Sequence, residues 1–78
     1  MPMSRRFYNN LASRLSDIEP RPENYRLDGP SAYEAAVDSW SLAVITTARA
    51  IKEEAPSFDM GRFTLAAGID PARAAALS

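Results

Sequence analysis

The side chains able to do chemistry in this 78-residue chain are hydroxyls, ten carboxylates, one lysine and eight arginines; histidine and cysteine do not occur. Without histidine there is no ordinary general base near neutrality and no imidazole ligand for zinc. Without cysteine there is no thiolate ligand and no disulfide. A nucleophilic serine would have to borrow Lys52 or a carboxylate as its base. Glu53 and Glu54 are adjacent, so on a helix they point about 100° apart rather than converging as an acid–base pair. They also fall near a helix C-terminus, where negative charge is unfavourable, and read best as solvated surface charge. No phosphate-cradling loop, metal-ligand cluster or nucleophile–base pair can be assembled. The chain is expected to be a non-enzyme with no catalytic residue, metal or cofactor.

Binding is better represented than reaction. In the middle of the chain Leu42 and Ile45 lie roughly 140–200° from Trp40 around a helix, on a face with Asp38, Arg49 and Lys52. Either a later helix covers this pair, or it is an apolar contact rimmed by charge, suited to a partner or to a second copy of the chain. Arg5, Arg6 and Arg14 give residues 1–14 a local charge of +3, suited to an acidic partner or an RNA backbone. Arg5 stands about 180° from Arg14 on a helix and Arg6 about 80°, so the three form no single stripe. A third candidate is Arg73, which would be the base-reading side chain if residues 63–77 formed a helix-turn-helix. Base readout needs several donors in a basic surround. Arg73 instead stands among alanines, with Asp59 and Asp70 before it.

The elements that must carry these residues are helical. Phe7, Leu11, Leu15 and Ile18 recur at steps of four, four and three, predicting a first helix over about 4–19 with Ser4 as its N-cap and Pro20 at its end. Residues 20–30 hold three prolines and an Asp-Gly pair, so they should form an irregular connector, pinned to the core by Tyr25 and Leu27. A second helix is predicted over about 31–55. Ser31 and Glu34 have capping-box spacing, Pro56 stops it, and Tyr33, Val37, Trp40, Val44, Thr47 and Ile51 form its stripe. The third helix, about 59–67, has Asp59 as N-cap, a Phe58–Phe63 staple, and Gly68 as a left-handed C-terminal cap that lets Ile69 fold back on Leu65. Asp70-Pro71 then caps and starts a last short helix over about 71–77.

Composition agrees with this outline. Of 36 hydrophobic residues 14 are alanine, which favours helix and adds little burial. The chain is one domain, 1–78, with a thin stability margin of roughly 4–12 kcal/mol by length. Its net charge of −1 gives no pull toward nucleic acid, and residues 34–59 carry a local −3. No apolar run reaches the ~18 residues of a membrane span, and no apolar stretch follows the basic start as in a signal peptide.

The block Phe58-Asp59-Met60-Gly61-Arg62-Phe63-Thr64-Leu65-Ala66-Ala67-Gly68 reads F-D-x-x-R-F-x-x-A-A-G. It resembles the F-D-x-x-R-F-x-x-A-C-G ending of short uncharacterised helical proteins encoded by phages of GC-rich bacteria. An aromatic-rich first helix and a Trp-centred middle helix accompany it, so the resemblance spans most of residues 5–69. The chain departs from the pattern at Ala67, where cysteine is usual, and in running nine residues past Ile69. The resemblance implies a phage accessory protein and transfers no catalytic residue; anti-CRISPR proteins are the best-known class of such binders.

Together these readings predict an all-α, compact three-helix domain with a long central helix and a short C-terminal fourth helix. The expected function is non-enzymatic binding and modulation of a host or defence protein complex, in the manner of an anti-CRISPR inhibitor, in the bacterial host cytoplasm. Partner contacts are expected from Asp38, Leu42, Ile45, Arg49, Arg5 and Arg6. The alternative is a small helix-turn-helix-like DNA-binding regulator acting through Arg73.

Overall fold

The computed structural model describes residues 5–77, and all regular structure among them is helical. Four α-helices, α1 (Arg5–Asp17), α2 (Pro30–Glu54), α3 (Met60–Ala67) and α4 (Pro71–Leu77), follow in chain order, with a 3-10 turn at Pro22–Tyr25 between the first two. The all-α expectation holds, with four helices in place of a three-helix domain.

The helix ends follow from local chemistry. The last turn of α1 tightens, with the Ile18 and Glu19 amides donating three residues back, before Pro20 forbids continuation. The expected Ser4 cap lies outside the described residues. The connector is less irregular than its prolines suggest, because Pro22 takes the first position of the 3-10 turn, where a missing N–H costs nothing. α2 starts one residue before the expected capping box: Gly29, at φ 89°, is its N-cap and Pro30 its first residue, with no side-chain cap. Beyond its far end Lys52 Nζ donates to the Phe58 carbonyl at 3.0 Å, bracing the turn into α3.

At α3 the expected N-cap, ring staple and left-handed C-terminal glycine all form. The Asp59 carboxylate accepts the Arg62 N–H at 3.0 Å, and the Phe58 and Phe63 rings lie 5.4 Å apart. Gly68 adopts φ 107°, ψ 12°; its N–H reaches the Leu65 carbonyl and the Ile69 N–H reaches that of Thr64, the paired bonds of a Schellman ending. Ile69 is buried, but it turns into the core rather than onto Leu65, which stays exposed. Asp70 caps α4 by accepting the Ala72 N–H at 2.8 Å.

The core gathers Trp40, Val44, Ile45 and Ala48 of α2 against Phe63 and Ala67 of α3, with Ala12, Phe58 and Ile69 completing it. α1 lies chiefly against α3, with the alanines Ala12 and Ala67 both buried. Between α1 and α2 stands the Trp40 indole, whose Nε1–H donates to the Leu15 carbonyl at 2.9 Å. That carbonyl is in the last turn of α1, where it also accepts the Ile18 amide at a longer 3.3 Å.

Both predicted stripes are rotated. On α1 the inward face is Tyr8, Leu11, Ala12 and Leu15, while Phe7 and Ile18 are exposed. On α2 it is Trp40, Ser41, Val44, Ile45 and Ala48, an arc of about 140° centred some 50° from the expected stripe. Helices approach most closely where side chains are small, so Ala12, Ser41, Ala48 and Ala67 decide which faces meet. The hydroxyl of Ser41 is fully buried with no hydrogen-bond partner among the described residues. Leu27 does not pin the connector and is fully exposed. Tyr25 does help, with its ring 6.0 Å from Tyr33 on α2.

The molecule is elongated rather than compact, with extents of 46 × 23 × 16 Å and a radius of gyration of 13.5 Å. A rounded domain of this length would have about 11.5 Å. α2 is the cause: its 25 residues span about 37 Å, against about 20 Å for α1. No residue of α2 before Trp40 is buried.

Candidate functional site

Two helical faces and the turn between α2 and α3 enclose a groove of about 240 Å³. α1 contributes Arg5, Tyr8, Asn9 and Ala12, which share a face by the i, i+3, i+4, i+7 rule. α3 contributes Arg62, Phe63 and Ala66 on the same principle, and Ala55, Ser57, Phe58 and Asp59 close the end. The groove exists because alanines at positions 12, 55 and 66 leave the seam between the helices unfilled.

Its inner wall is aromatic. Tyr8 lies 4.7 Å from Phe58, centroid to centroid, and Phe58 packs in turn on Phe63. Phe58 and Phe63 are buried, Tyr8 partly so. Three charged residues line the groove: Arg5, Arg62 and Asp59. Asp59 is committed through one oxygen to the Arg62 backbone N–H. Neither guanidinium makes an ion pair, since the one ion pair among the described residues joins Asp38 to Arg73. Such a recess can seat an apolar side chain and hold an anion at its edge. No group of three or more potential metal ligands occurs among the described residues.

The sequence-predicted residues are dispersed. Ile45 is 2% exposed and belongs to the core, so the expected Leu42–Ile45 surface pair does not form. The wide buried arc of α2 is the reason: α3 and α4 both pack on it, and Ala74 and Leu77 of α4 reach the core. Leu42, at 46% exposed, remains on the surface, as does Arg49. Asp38 is engaged by Arg73, which ties α4 to α2. Arg73, the candidate base-reading side chain, donates through its guanidinium to that same carboxylate. Arg5 and Arg6 are both exposed, and Arg5 lines the groove.

Sequence reasoning missed Tyr8, Asn9, Arg62 and Ala66 as a group. Arg62 and Phe63 were visible as part of the recurring block, but only as helix-forming residues. The signal that unites them is the seam between segments some fifty residues apart, which no local spacing encodes. A second, shallower cleft lies between the 3-10 turn and the start of α2, lined by Pro22, Tyr25, Arg26 and Tyr33 among others. No helix of the described residues is long and apolar enough to cross a membrane. Comparison of the chain with protein-family models, with curated proteins and with solved structures finds no match.

Proposed function

We propose that this protein is a non-enzymatic binder that modulates a protein complex, of the host or defence kind that phage accessory proteins engage, by occupying a partner surface. The observation that supports it is the α1–α3 groove: an apolar, aromatic-walled recess edged by two guanidiniums that form no ion pair among the described residues. Protein interfaces favour such a buried apolar anchor point with arginine close by. The sequence resemblance supports the phage setting, and Ile45 is withdrawn from the proposed contact.

The test uses the lack of cysteine, which makes a single introduced thiol a unique attachment point. A photo-crosslinker on Ser57→Cys, in the groove, is compared inside host cells with the same group on Ser39→Cys, exposed on α2 away from it. One protein adduct from the groove position, lost when Ala66→Phe is added to fill the recess, is the expected result. Equal labelling from both positions, labelling that survives Ala66→Phe, or no adduct would overturn the proposal.

A further inference from the structure

We infer that the α1–α3 groove accepts an acidic peptide segment, a short run of carboxylates around one large apolar side chain. This rests on the groove being the partner site. Its size sets the class of occupant. At about 240 Å³ and open along one side, it is smaller than the ~300–1,000 Å³ typical of small-molecule sites. One side chain fills it, and the open side lets a chain continue in both directions.

Its chemistry sets the sign of the flanks. The wall of Ala12, Phe58 and Phe63 offers an apolar anchor nothing to hydrogen-bond. Arg5 on α1 and Arg62 on α3 stand on opposite sides of the seam, both without an ion pair among the described residues, while the nearby carboxylate of Asp59 already accepts the Arg62 backbone N–H. Guanidinium forks match carboxylates in geometry and hold them bidentately. Arg6, exposed on the same end of α1, adds to the positive side. A nucleic acid is the less suited polyanion. Single-stranded recognition stacks successive bases on several exposed aromatic rings, and Tyr8 is the one aromatic residue lining the groove that is not buried.

Fluorescence anisotropy with four labelled probes tests this: an acidic peptide with Leu-Phe at its centre and Asp and Glu on both sides, the same peptide with Asn and Gln, the same with Lys, and a single-stranded RNA of similar length. The acidic peptide is expected to bind at least ~10-fold tighter than its amide counterpart, with affinity falling as salt rises. Arg5→Glu with Arg62→Glu should remove that preference. The pair should fold, since both sites lie in the first turn of a helix, where a carboxylate is favourable; circular dichroism checks it. Acidic and amide peptides binding equally, yet both lost in Ala66→Phe, would overturn the acidic assignment and leave the groove reading standing. RNA binding tighter than the acidic peptide, or no peptide binding at millimolar concentration, would also overturn it. The crosslinking result then decides the groove reading separately.

Discussion

Replacing a glycine by alanine should have opposite effects at two positions seven residues apart, one in the first turn of α3 and one just past its end. Gly61 lies inside the helix, and an added Cβ would meet nothing nearer than Asp59 Oδ1, at an ordinary 3.6 Å. Alanine there gains about 0.5–1 kcal/mol from reduced backbone freedom in the unfolded chain. Gly68 sits at φ 107°, where an L-residue pays about 1–2 kcal/mol. Its Cβ would lie 2.7 Å from Glu19 Oε1, the far end of a side chain that can swing aside. Offsetting ~0.4–1 kcal/mol of unfolded-state gain leaves a net loss near 1 kcal/mol. At ~2.1 cal/mol/K per residue, 1 kcal/mol moves the midpoint of a chain this long by about 6 °C. Thermal melts followed at 222 nm should therefore place Gly61→Ala some 3–6 °C above the parent and Gly68→Ala about 6 °C below it. Two variants melting within about 2 °C of each other, or both above the parent, would refute the left-handed ending assigned to α3.

Two further outcomes follow from the core. Trp40→Phe removes the indole donor to Leu15 and some buried volume, and should cost about 2 kcal/mol in urea unfolding; the chain has a single tryptophan, so circular dichroism must follow it, and a loss under ~0.5 kcal/mol would show that the indole does not anchor α1. Leu42→Glu, on the surface, should leave the melt within about 1 kcal/mol of the parent, whereas Ile45→Glu buries an unpaired carboxylate and should leave the chain largely unfolded at 25 °C. Similar melts for the two would contradict the burial of Ile45.

What was legible in the sequence was what neighbours within a few residues decide. Asp59, Phe58–Phe63, Gly68 and Asp70-Pro71 act through bonds and contacts spanning two to five positions, and each appears where the spacing put it. The start of α2 was displaced by one residue because Gly29-Pro30 satisfied the helix end before Ser31 could. The helix faces were misplaced for a different reason. Periodicity weights the large apolar residues, while the distance between packed helices is set by the small ones. Ala12 and Ser41 were therefore overlooked, Phe7 and Ile18 were assigned to the wrong side, and Ile45 was left open between a covered and an exposed position. Of the candidate site, Arg5 was singled out for its charge, but its neighbours across the seam belong to a tertiary contact.

The overhang of α2 divides one continuous helix into two parts with different lifetimes. Residues 40–51 are held by the core, but residues 30–39 rest on their own backbone bonds, the Tyr25–Tyr33 contact and the Asp38–Arg73 ion pair. About ten residues of helix alone are marginal in water. The molecule should therefore breathe from this end, with the leading turns of α2 and the 3-10 turn unwinding together while the rest stays folded. Amide protons there would exchange by local opening, and those past Trp40 by global unfolding.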